Sequence, residues 1–255
     1  MLTIKPVNLN YSIKEKLALL NILFQKVEEA YNNFPLVCEP GCALCCTQKI
    51  YATSIEAYYA LEVVSEKDIE NLKKLSSFPR PKLTNNQILL YYMQGEEPPP
   101  EEFPSDLGKC PFLTSENLCK IYEKRPLMCR IMASIKKCGE TSAELPPFLF
   151  QIGTIAMQLV ENIDVGGIYG SFFDLLVFLN DFKKGKVEEI PDHLLNNTDV
   201  DDLPILPEEK ELRSWVGNLY RTPVPETNFT FRELLNKLRD EFESQEALSF
   251  IKGIL

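Results

Sequence analysis

"CEPGCALCC", Cys38 to Cys46, places four cysteines within nine residues, two of them adjacent. Pro40-Gly41 supplies a tight turn between the first two sulfurs. The stretch has too few apolar side chains to pack on itself, and its short spacings let a loop fold several sulfurs around one centre. Four more cysteines follow in "CPFLTSENLCKIYEKRPLMCRIMASIKKC", Cys110 to Cys138. The whole pattern is C-x3-C-x2-C-C, a long gap, then C-x8-C-x9-C-x8-C. Two groups of four suit two four-sulfur sites, or one site with spare thiols.

Disulfides and buried free thiols are the competing readings. The N-terminus, "MLTIKPVNLNYSIKEKL", has no apolar signal core and no small-residue cleavage site. The chain is therefore expected in the cytoplasm with reduced thiols, where clustered cysteines point to metal before disulfides. Burial as small hydrophobes accounts for Cys129 or Cys138 singly, but not for the Cys38 to Cys46 cluster. The one histidine, His193, follows "EEIPD" in a polar segment and is expected to be a solvated loop residue. Ligation then falls almost entirely to sulfur.

Outside the cysteines, 27 Lys and Arg face 37 Asp and Glu, for a net charge of -10. The basic residues form no stripe, which argues against nucleic-acid and anionic-membrane binding. The most apolar run, "SFFDLLVFL", Ser171 to Leu179, is too short to span a bilayer. A protein partner or substrate of unspecified identity remains, and the acidic stretch Glu96 to Glu102 favours a basic one.

Periodicity makes the fold mainly α, a helical domain organised around a cysteine-rich metal-binding loop region. In "SIKEKLALLNILFQKVEEAYNNF" the residues Ile13, Leu17, Leu20, Phe24, Val27 and Tyr31 form one apolar face, with Ser12 as the expected cap. Capping boxes are expected at Thr53 to Glu56, Thr84 to Gln87 and Thr230 to Glu233, and a further helix is expected from Ser65. "GEEPPPEEFPSDLGK" is a solvated break without regular structure. Pro126 is expected as the first residue of a helix carrying Cys129. "PPFLFQIGTIAMQLVENI" and "YGSFFDLLVFLNDFKKG" read as buried helices, and Tyr122 and Trp215 as core. One small β-hairpin is expected near Leu113 and Leu118, turning at "TSEN". Residues 1–145 are expected to hold the cysteine region and N-terminal helices, and 146–255 a helical extension on the same core.

The strings "CEPGCALCC", "CPFL", "LCKIYEKRPLMCR" and the final Cys138 resemble the YkgJ-type cysteine-cluster family of zinc- or iron-chelating domains. "RPxxCR", Arg125 to Arg130, is the most specific part of the second block, and the resemblance covers Cys38 to Cys138. It implies metal ligation by Cys38, Cys42, Cys45, Cys46, Cys110, Cys119, Cys129 and Cys138. A similar pattern in the flagellin lysine methylase group implies an iron–sulfur cluster. Cys38-x3-Cys42-x2-Cys45 also has the spacing of a radical S-adenosylmethionine loop, but a helix precedes it and barrel-like alternation is missing.

Zinc accepts four thiolates, and iron–sulfur clusters prefer all-cysteine ligation. Proline after a ligand, as in Cys110-Pro111, tilts the choice to iron–sulfur. Arg125 and Arg130 are candidates for binding the cofactor's sulfur or an anionic substrate; the alternative is an ion pair with Glu123 or Glu116. The leading function is a metal-binding cysteine-cluster protein. The alternatives are an iron–sulfur-dependent modification enzyme, lysine methylase-like or S-adenosylmethionine-using, and an electron-transfer or metal-handling module. With no Gly-rich nucleotide loop and no clear carboxylate pair, the sequence assigns no reaction.

Overall fold

The computed structural model describes residues 8–75, 78–102, 107–139, 143–201 and 203–254. Helix α1 (Ile13–Asn32) follows the expected apolar face: Leu20, Phe24, Val27 and Tyr31 are buried, and Ile13 and Leu17 pack on the same core. Its start differs from expectation. Ser12 stands at the cap position with φ 46°, and its side chain makes no capping hydrogen bond.

Strand β1 (Tyr51–Thr53) leads directly into α2 (Ser54–Ala60), followed by α3 (Glu66–Lys73) and α4 (Asn85–Met93). All three helices start on capping boxes, at Thr53, Ser65 and Thr84. Each pair satisfies orphaned N–H groups reciprocally. The box on α2 does more, because Glu56 is buried. One carboxylate oxygen accepts from the Thr53 N–H at 2.8 Å. The other accepts from the Leu127 N–H at 2.7 Å, at the start of α5 (Leu127–Ile131). Burial holds this carboxyl above its usual range, against those hydrogen bonds. Pro126 caps α5 rather than opening it.

Next come α6 (Pro147–Ile163), β2 (Ile168–Ser171), α7 (Phe172–Lys183), β3 (Leu195–Asn196), α8 (Lys210–Tyr220) and α9 (Phe231–Ile254). The expected Thr230 to Glu233 box caps α9. The segment read as one buried helix from Tyr169 is therefore split: residues 168–171 are extended and the helix begins at Phe172. The three strands form an antiparallel sheet in the order β1-β2-β3, with Tyr51 opposite Ser171 and Tyr169 opposite Leu195. Both longer strands are buried throughout. They show no alternation and pass for helix in a periodicity reading. The expected hairpin at "TSEN" is a tight turn closed by the Thr114 N–H to Leu118 carbonyl bond at 2.8 Å, with a single bridge from Leu113 to Cys119. The fold is thus mainly α with a small antiparallel sheet.

Helix α1 lies against α2, α5, α6, α8 and α9, while α7 covers β1, β2, α2 and α3. One apolar core runs through them from Leu9 to Phe242. Trp215 is half-buried against this core and donates its indole N–H to the Lys26 carbonyl. His193 is a part-exposed turn residue, with Nε2 3.6 Å from Asp174 Oδ2. Among the described residues, no helix is long and apolar enough to cross a membrane.

A charged pair sits inside this core. Lys16 is only 1% exposed. Its Nζ lies 3.3 Å from Asp164 Oδ1 and donates to the Val165 carbonyl at 2.7 Å. Asp164 also accepts from Ser54 Oγ at 2.5 Å, the Ile55 N–H at 3.1 Å and Asn197 Nδ2 at 2.9 Å. Removing one partner of a buried pair strands the other's charge, at a cost of about 3–5 kcal/mol. Lys16→Met is therefore expected to lower the unfolding free energy by that amount in chemical denaturation.

Glu161, also fully buried, accepts from the Asn86 and Thr198 N–H groups at 3.0 and 2.7 Å. Burial outweighs these bonds and raises its carboxyl to about 7. Between the unfolded value near ~4.3 and about 7, the folded state holds the extra proton. This group's contribution to stability therefore falls as pH rises through that window. Glu161→Gln is expected to cost about 1–3 kcal/mol at pH near ~5, by turning an amide donor toward backbone donors. It should also flatten the decline in stability between those pH values by up to about one proton, as read from urea midpoints across the range.

Candidate metal centre

Beyond α1 the chain runs without helix or strand until β1, and Cys38 to Cys46 lie in this run. Two tight turns shape it: the Cys42 N–H donates to the Glu39 carbonyl at 2.9 Å, and the Cys46 N–H to the Ala43 carbonyl at 3.0 Å. Gly41, inside the first turn, takes φ +90°, a conformation that L side chains rarely adopt. The loop is held on both sides by the second cysteine group. Thr47 bridges Lys109, and the Cys110 N–H donates to the Cys46 carbonyl at 3.0 Å. On the other side, the Val37 N–H donates to the Ser134 carbonyl at 2.9 Å. The two cysteine groups, far apart in sequence, thus adjoin through their backbones.

All eight cysteines are unpaired thiols. Cys38, Cys42 and Cys45 are exposed; Cys46, Cys110, Cys119, Cys129 and Cys138 are half-buried. Cys38, Cys42 and Cys138 line one open cleft of about 710 Å³, together with Lys109 and Lys137. Cys110, Cys119 and Cys129 instead pack against the apolar core. Cys45 and Cys46 share a hydrogen bond, which lowers the first thiol and raises the second. Burial raises Cys38, against a hydrogen bond from Ser134, and the charges of Cys42, Cys45 and Cys138 add to it. Burial pushes Cys110 up to about 11, with Cys119 adding. Cys129 is raised by burial and by Cys110, Cys119 and Cys45, while Arg125 opposes.

Thiols such as Cys110 and Cys129, which burial holds in the neutral form, suit a cation, since a coordinating thiol is deprotonated outright. The donor set is soft and wholly sulfur, which fits zinc or an iron–sulfur cluster and not calcium or magnesium. As placed, no three His, Cys, Asp or Glu side chains among the described residues converge closely enough to hold one ion. The cysteine loop follows α1 rather than a strand, and the sheet is antiparallel, unlike the setting of a radical-enzyme loop.

Arg125 and Arg130 are engaged away from the cleft. Arg130 pairs with Glu28 of α1 and donates to the carbonyls of Arg125 and Glu123 at 3.0 and 2.7 Å. Its guanidinium lies 4.2 Å from the Phe24 ring centroid. Arg125 lies 3.7 Å from the same Glu28 and 3.8 Å from the ring centroid of Tyr122. Tyr122, expected in the core, is 57% exposed. The ion-pair partner is Glu28, which no local motif flags, and Glu123 contributes its carbonyl rather than its carboxylate. Arg130 clamps the α5 turn carrying Cys129 onto α1. Lysine has no fork to reach both carbonyls and the carboxylate. Arg130→Lys is expected to cost about 2–3 kcal/mol in thermal or chemical unfolding, and to speed alkylation of Cys129 in metal-free protein.

No curated protein matches the chain, and no solved structure does. A family model, CxxCxxCC, described as "Putative zinc- or iron-chelating domain", matches residues 37–145. The match spans all eight cysteines and ends just before α6. Residues 37–145, which hold all eight cysteines, are thus similar to the CxxCxxCC family of zinc- or iron-chelating domains, over less than half of the chain.

Proposed function

We propose that the chain binds an iron–sulfur cluster, in preference to zinc, through thiolates drawn from both cysteine groups, and that the metal locks the cysteine region into its folded form. The pairing of Cys46 with Cys110 across the two groups carries this reading. Backbones are already adjoined where sulfurs must meet, while the exposed loop keeps the slack to close on an ion. Binding energy at such a site becomes folding energy. The Cys110-Pro111 step supports the iron–sulfur choice.

A second reading, an iron–sulfur-dependent modification enzyme, is favoured by the open cleft at Cys38, Cys42 and Cys138. A metal there faces solvent, and Lys109 and Lys137 suit an anionic group on a substrate.

Anaerobic purification followed by metal, acid-labile sulfide and visible-absorption analysis tests both. Colour with labile sulfide is the expected result. Colourless protein retaining zinc would replace the cluster with a structural ion. Protein with neither metal would remove the reading altogether. Cys129→Ser is expected to lower metal content and melting temperature together, by several kcal/mol out of a typical stability of ~5–15 kcal/mol.

A further inference from the structure

The fold sorts the eight thiols by depth. Cys38, Cys42 and Cys138 share the solvent-open cleft. Cys110, Cys119 and Cys129 lie on the core side, packed against apolar side chains. Each set holds three sulfurs, one short of the four that zinc sites and iron–sulfur clusters take. The two remaining cysteines are neighbours in sequence, and they stand between the sets. Cys46 is half-buried, and its carbonyl holds the Cys110 N–H. Cys45, the next residue back, is exposed.

We propose that the chain builds two four-sulfur centres: an inner one from Cys46, Cys110, Cys119 and Cys129, and an outer one from Cys38, Cys42, Cys45 and Cys138. This rests on the reading of the chain as a thiolate metal binder and assigns its ligands. The adjacent pair then has a purpose. One peptide unit hands a ligand to each centre, which ties the exposed loop to the core-packed one. Charge balance agrees with the division. Four thiolates around an iron–sulfur cluster or a zinc ion leave a net negative charge, and each set has basic residues at hand. Lys109 and Lys137 line the outer cleft, and Arg125 stands four residues before Cys129 in the inner set. The inner centre acts as a structural staple. The outer one, open to the cleft, is the centre that a substrate or partner meets.

The test is cysteine-resolved protection. Protein purified anaerobically is treated with increasing EDTA and alkylated under native conditions. Each thiol is then assigned by peptide fragmentation, which separates Cys45 from Cys46. Expected is the unmasking of Cys38, Cys42, Cys45 and Cys138 as one set, with about half the metal released, while the other four stay protected. Cys42→Ser lies on an exposed turn and should leave the fold intact. It is expected to expose Cys38, Cys45 and Cys138 before any chelator is added, to retain about half the metal, and to keep Cys46, Cys110, Cys119 and Cys129 protected. Release of all eight thiols in one step, or a protected set that mixes Cys38 or Cys138 with Cys110 or Cys129, overturns the division while leaving metal binding in place. Metal-free protein with all eight thiols reactive from the outset overturns the binding reading as well.

Discussion

The buried carboxylate of Asp164 is the constraint on which the rest of the arrangement depends. It stands just past the end of α6 and gathers Lys16 from α1, Ser54 and Ile55 from the first turn of α2, and Asn197 beside β3. A charge so deep in the core is tolerated only because every direction around it is occupied by a donor. Such a node is intolerant of small shifts, since moving any element leaves a polar group unpaired. It therefore sets the relative position of the main helix pair and of the strand that follows the cysteine loop.

From that node the path to the cysteines is short. Ser54 and Ile55 bind Asp164, and Glu56, the next residue, binds the start of α5. Three consecutive residues connect the core to the turn carrying Cys129. The Glu28–Arg130 pair repeats the connection from α1. The cysteine loops themselves, by contrast, rest on a few backbone hydrogen bonds. The core supplies a rigid wall and leaves the sulfur side to be completed by whatever the thiols bind.

Much of this was legible in the sequence, and the reasons are local. The helices announce themselves by apolar spacing and by caps at Thr53, Thr84 and Thr230, features that act within one or two turns. The cysteine loop is readable from spacing alone, because four sulfurs in nine residues have few other uses. The strands were not legible, because β1 and β2 are short and buried on both faces, so no alternation marks them. Nor was the partner of Arg130, since Glu28 lies 102 residues away on another helix. The sorting of the thiols by depth depends on which loops adjoin, and no spacing rule encodes that.

The bridge between Thr47 and Lys109 has a further consequence. It clamps the neck of a long excursion that contains α2, α3, α4 and the proline-rich acidic stretch. Because the ends are pinned, the cost of lengthening the excursion grows only with the logarithm of its length. The part after α4 has little core to disturb, as Tyr92, Met93 and the described residues that follow, to 102, are largely exposed. The architecture thus separates what must be conserved in geometry from what is free to drift in size. An ornament can grow or shrink between the two cysteine groups while the sulfurs keep their places.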